Sequence, residues 1–206
     1  MSRTANPSSP AKKKLLDAAA TLMLEKGFTA TTVDDICDAA GLTKGSFFHY
    51  FENKDGLGKA VLKHEMERRR QMAETAPYGK LADPLDRVYG CLDFVAQMSR
   101  KMFSDPDLRA GCLIGNLAQE LSYTHPKIRS ECAECLAEVA KDLEVDLAAA
   151  KTKHAPKSSI DPRGLSEHFV AIMEGSFVLA KAQQNERLVG ENLLHFKQYL
   201  QFLFKK

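Results

Sequence analysis

Residues 31–57, TTVDDICDAAGLTKGSFFHYFENKDGL, carry two short helix signals joined by one sharp turn. Thr32 and Asp35 stand in the Ser/Thr-x-x-acid relation of a capping box, in which each side chain satisfies a backbone amide at a helix start. Val33, Ile36 and Ala40 follow at helical spacing, so the first helix is short and has a single apolar face. Gly41 falls where that helix must end, because a residue without a Cβ takes the left-handed conformation at little cost. Leu42 fills the corner and Thr43 can cap the next helix. This second helix places Lys44, Ser46, His49 and Tyr50 on a polar side, with Phe47, Phe48 and Phe51 available to anchor it. Donors pointing outward from an apolar base fit a major groove. Thr32 and Lys54, at the two ends of the motif, are expected nearer the phosphates.

Helix signals continue on both sides. Lys12 to Lys26 has Leu15, Ala19 and Leu22 at helical spacing and stops at Gly27. Asn53 can cap a long fourth helix that ends near Pro77 and Gly79. Asp83-Pro84 and Asp161-Pro162 are cap-plus-proline helix starts, and Asp105-Pro106 marks a break. Leu113–Leu121 and Pro126 to about Ala150 read as helix, 151–159 (KTKHAPKSS) as a polar loop, and Gly190 and Glu191 as the residues before a last helix. No β-strand pattern, internal repeat or phosphate-binding glycine loop interrupts this. The expectation is an all-α chain: an N-terminal three-helix helix-turn-helix domain, 1–56, and a C-terminal helical dimerisation and ligand-binding domain, 57–206. The last two helices have apolar surface to spare. Gly175, Ser176 and Ala180 would admit a partner closely, and Phe196 and Leu200 would be central to such an interface.

Composition narrows the function classes. A chain of 206 residues, 44% of them apolar, can bury a core, so disorder is not the default. A net charge of +2 decides nothing about nucleic acid, but residues 1–14 carry Arg3, Lys12, Lys13 and Lys14 with no acid, which reads as a solubilising tail or a phosphate-contacting arm. With no signal peptide and no run of roughly 20 apolar residues, a soluble cytoplasmic protein away from membranes is expected. Five cysteines, Cys37, Cys91, Cys112, Cys132 and Cys135, are an odd number that fits a reducing compartment. Cys132 and Cys135 share one helical face and lack the two further ligands zinc would need, so they read as core, as does Cys37 beside Ile36. The six histidines show no catalytic or metal-binding spacing. No metal, cofactor or catalytic residue is expected.

The run from Ala40 to Phe51, AGLTKGSFFHYF, followed by Asn53-Lys54-Asp55-Gly56-Leu57, resembles the DNA-binding signature of TetR-type repressors. Where that signature usually carries two tyrosines, this chain has Phe48 and His49. The resemblance covers roughly the first third of the chain. It implies a homodimer built from the two C-terminal helices, a double-stranded palindromic operator, and release by an effector bound in the C-terminal domain. The segment Gly111 to Ser122, GCLIGNLAQELS, is similar to one in the narrower NemR-type subgroup, where the corresponding cysteine senses electrophiles or oxidants. That likeness makes Cys112 the regulatory thiol candidate, and a predicted helix start there would favour its thiolate. The effector is then a small molecule or an electrophile. A DNA-binding dimer without an inducer and a cysteine-dependent enzyme stay open as alternatives.

Overall fold

Helix starts in this chain are set by polar side chains one to three residues ahead of the first amides they satisfy. The computed structural model describes residues 9–104 and 111–205, so Arg3 and the Asp105-Pro106 break lie outside the described residues. Thr32 forms the capping box with Asp35 and opens α2 (Val33–Ala40), which ends at Gly41 with φ 62° and ψ 40°. Thr43 accepts the Ser46 amide and opens α3 (Lys44–Tyr50). Asn53 accepts the Gly56 amide at 2.9 Å and opens α4 (Lys54–Thr75), which a short 3-10 turn, Pro77–Lys80, follows. Ahead of them, α1 (Pro10–Ala30) begins with a proline at its first position and is kinked at Gly27.

The remaining helices are α5 (Pro84–Ser104), α6 (Leu113–Leu121), α7 (Pro126–His154), α8 (Pro162–Gln183) and α9 (Arg187–Phe204). All elements among the described residues are helical, and no helix there is long and apolar enough to cross a membrane. Both cap-plus-proline devices form: Asp83 accepts the Leu85 amide at 2.8 Å and Asp161 the Arg163 amide at 3.2 Å.

Packing divides the chain into two compact units, residues 1–69 with 113–133, and 70–112 with 134–206. In the first, α1 packs on α2, α3 and α6 around the buried Leu15, Ala19, Met23, Ile36, Phe47 and Leu117. Burying each of the larger of these side chains stabilises by about 1.5–3 kcal/mol. In the second, α9 packs on α5 and α8 around Leu85, Leu92, Phe169, Leu193, Phe196 and Leu200.

Four expectations change here. Residues 151–154 are helical rather than loop, because His154 (2.8 Å) and Lys153 (3.0 Å) reach the Asp83 carboxylate and hold the last turn of α7. Cations there also oppose the helix dipole. The last helix begins at Arg187, ahead of Gly190, because Asn185 accepts the Arg187 amide at 3.1 Å. Ser176 and Ala180 are buried within the chain, leaving only Gly175 of the three small residues exposed. Phe196 and Leu200 are core residues as well, at 2% and 0% exposure, so they do not present a surface to a partner.

Candidate nucleic-acid interface

Only seven residues long, α3 is held by one apolar face. Phe47 and Phe51 lie one turn apart and are 0% and 5% exposed. Phe48 stands about 100° around the helix from Phe47 and is 58% exposed. It does not anchor α3, contrary to expectation, but joins the outward surface. The spacing carried that signal, since residues four apart share a face and adjacent ones do not.

Around Phe48 the structure gathers most of the expected contact residues. Thr43, Lys44 and His49 are exposed, with Ser46 and Tyr50 half-buried. Each has a local partner. The hydroxyls of Thr43 and Ser46 lie 3.2 Å apart, and Tyr50 Oη is 2.7 Å from Ser9 Oγ at the start of α1. Lys44 Nζ pairs with Asp34 of α2 at 2.8 Å, and this acid raises the lysine's pKa. An exposed pair of this kind is screened by solvent and opens easily. Thr32 is exposed one helix away, its hydroxyl accepting the Asp35 amide at 3.1 Å. Lys26, 2.7 Å from Asp35, does most to hold that carboxylate well below its usual range, with the Thr32 bonds behind it.

Lys54 sits differently. Its Nζ donates to the carbonyl oxygens of Phe28 (3.0 Å), Thr29 (3.2 Å) and Thr31 (3.1 Å). An ammonium has three donors, so reaching a phosphate would require it to leave a carbonyl. Cys112 is half-buried directly before α6, whereas Cys37, Cys132 and Cys135 are buried. Burial, and then Asp34 and Asp38, push the Cys37 thiol up. Among the described residues no group of three or more His, Cys, Asp or Glu side chains could hold a metal ion.

A capped helix, a left-handed glycine turn and a second helix with an uncovered polar face define a helix-turn-helix DNA-binding protein. Comparisons with known proteins narrow the class. Residues 15–61 match the model for bacterial regulatory proteins of the tetR family, and residues 84–196 match that of the tetracyclin repressor-like C-terminal domain. The chain is 30% identical to the transcriptional regulator AcuR of Cereibacter sphaeroides over 88% of its own length and 81% of the relative's. A regulatory protein TetR from Rhodobacter sphaeroides superposes with a TM-score of 0.80 at 28% identity, covering 92% of this chain and 98% of that one. The reduced form of E. coli NemR gives 0.78 at 25% identity, covering 92% and 96%. The chain belongs to the TetR family and is a DNA-binding transcriptional regulator. Regulators of this family bind DNA operators and act as dimers.

Proposed function

We propose that the chain is a repressor that grips a palindromic duplex as a homodimer, with residues 1–56 reading DNA and 57–206 dimerising and sensing an effector. Lys44, Ser46, His49 and Tyr50 face base edges, with Phe48 against a thymine methyl or sugar, and Thr32 and Thr43 lie at the backbone. The uncovered outer face of α3 carries this reading, because it sets hydrogen-bond donors and cations around an exposed ring, and a major groove offers base-edge acceptors for the first and a thymine methyl for the second.

The dimer contact is assigned to the outer faces of α8 and α9. Gly175, Val178 and Leu179 on one, and Leu194, Tyr199 and Phe202 on the other, are exposed and recur at helical spacing. Phe202 is 79% exposed. A palindrome read by two α3 helices requires half-sites about 34–36 Å apart, one turn of duplex.

The test is selection of duplexes from a randomised pool by the purified protein, followed by anisotropy titration. A recovered palindrome bound by two chains per duplex supports the reading, and the absence of any enriched sequence refutes it.

The effector is a small molecule or a thiol-reactive electrophile, and Cys112 is the thiol assigned to the second case. Its support is half-exposure directly before α6, together with the likeness to NemR, solved in a reduced form. Alkylation would add bulk directly before α6, and overpacking costs about 1–3 kcal/mol, enough to bias a two-state domain. Treatment with N-ethylmaleimide should label Cys112 before the three buried cysteines and release the operator. A Cys112→Ser protein that still releases DNA would move sensing to a conventional ligand pocket. The relatives named here are all regulators, so an enzymatic role draws no support from them.

A further inference from the structure

Gly27 interrupts α1 with φ 85° and ψ 165°, and the Glu120 side chain of α6 fills the space beside it. Oε2 accepts the Phe28 amide at 2.8 Å and Oε1 accepts the Thr29 amide at 2.7 Å. A Cβ at position 27 would stand 2.9 Å from Oε2, so the left-handed glycine also makes room for the carboxylate. The carbonyls of Phe28, Thr29 and Thr31 accept from Lys54 of α4, whose ammonium lies 4.6 Å over the Phe28 ring. The Thr31 hydroxyl closes the turn by donating to the Gly27 carbonyl at 2.6 Å. Thr32, the next residue, opens α2.

The amides of the α1–α2 connection therefore have a carboxylate from α6 and its carbonyls have an ammonium from α4. Burial pushes Glu120 up, but the bonds from Thr29 and Phe28 and the nearby Lys54 charge outweigh it and hold the carboxyl below its usual range. The group is an ionised, two-pronged acceptor, the form that fixes geometry best. Hydrogen bonds of this length weaken steeply when stretched or bent. A movement of α6 by about 1 Å would have to carry the connection with it or break the pair.

We propose that Glu120 is a positioning residue for operator binding. Through its two amide bonds, α6 sets where α2 and α3 begin, and a displacement of α6 reaches the recognition helix without passing along α4. The inference rests on the reading of α3 as the DNA-contacting helix.

The decisive variant is Glu120→Gln, which keeps the shape but offers one oxygen and turns an NH2 group toward the other amide. Affinities are measured by anisotropy for a duplex recovered by the parent protein and for a scrambled duplex of equal length, alongside hydrogen exchange at Phe28 and Thr29. The expected result is a roughly tenfold loss on the selected duplex, affinity for the scrambled duplex within about twofold, and faster exchange at both amides. A general loss of folding would lower both affinities together, and equal binding of the selected duplex by parent and variant would show that no positioning occurs. Either outcome overturns the proposal. Glu120→Asp keeps the charge but is one methylene too short to serve both amides. It should also lose discrimination, and full retention would reduce Glu120 to a charge. A parent protein that recovers no duplex at all would overturn the DNA-contact reading itself, a result visible before any variant is made.

Discussion

Among the described residues, the outer face of α3 and the outer faces of α8 and α9 both stay uncovered by the chain's own fold, and they differ in kind. The outer face of α3 presents short polar and cationic groups around one phenylalanine. The outer faces of α8 and α9 present valine, leucine, tyrosine and phenylalanine with little charge between them. Exposed apolar area is stabilised only by being covered, and a helix pair whose inner face already fills a core can still cover a second copy of itself. The α3 face gains nothing from burial against a protein, since its donors would lose water without finding acceptors, whereas a duplex supplies acceptors in both groove and backbone. On the proposed reading the same secondary structure would serve two partners, with side-chain polarity deciding which.

The largest expected effect comes from making the apolar face resemble the polar one. Phe202→Glu or Leu194→Glu should give folded monomers, because neither side chain takes part in the intrachain core. Operator affinity should fall by about a hundredfold or more as the two half-sites cease to be bound as one unit. Sedimentation velocity and anisotropy titration check this. A variant that stays dimeric would place the contact elsewhere.

Next in size is the loss of discrimination from the polar face. Lys44→Ala and His49→Ala should each weaken the selected operator by roughly ten- to a hundredfold and a scrambled duplex by much less. Equal binding of the operator by both variants and the parent would remove α3 from the groove.

Several helix starts, though not that of α9, were legible in the sequence for a local reason. Thr32 with Asp35, Thr43 with Ser46, Asn53 with Gly56 and Asp161 with Arg163 all act across two or three residues. What the sequence hid acts across tens of residues. The Asp83 carboxylate extends α7 to His154 from 71 positions away, and Glu120 reaches Phe28 from 92. No periodicity encodes such a contact. The sequence groups α6 with the regulatory helices, while packing sets it in the same compact unit as the helix-turn-helix. Phe48 and the inner placement of Phe196 and Leu200 needed only the correct rotation of a helix. An apolar residue beside two others nevertheless reads as core until the structure shows its side.

Lys54 offers a smaller effect that separates holding the motif from touching DNA. If its three carbonyl bonds persist in the complex, Lys54→Ala should lower thermal stability while leaving the log–log salt slope of operator binding at the parental value. If the ammonium turns to a phosphate, the slope should flatten by roughly one. The salt series decides between them, because a stability effect alone changes the fraction folded and not the number of ions released.

The smallest effect serves as a control on the apolar surface. Tyr89 of α5 lies under Lys197 of α9, whose Nζ is 5.5 Å from the ring centroid and pairs with Asp93 at 2.8 Å. Burial foremost, then Asp86 and Asp83, pushes its phenol up to about 12. The folded state therefore holds this proton more tightly than the unfolded chain does. The resulting stability is complete below about pH 10 and is lost as pH rises toward 12. Ultraviolet titration of the parent against Tyr89→Phe should show one phenol ionising at the upper end of that window. Because Tyr89 is covered by its own chain, the monomeric Phe202→Glu protein should keep the same late ionisation. If the phenol instead ionised near 10, α9 would have left the core, and the loss of dimer would reflect local unfolding rather than the removal of a partner.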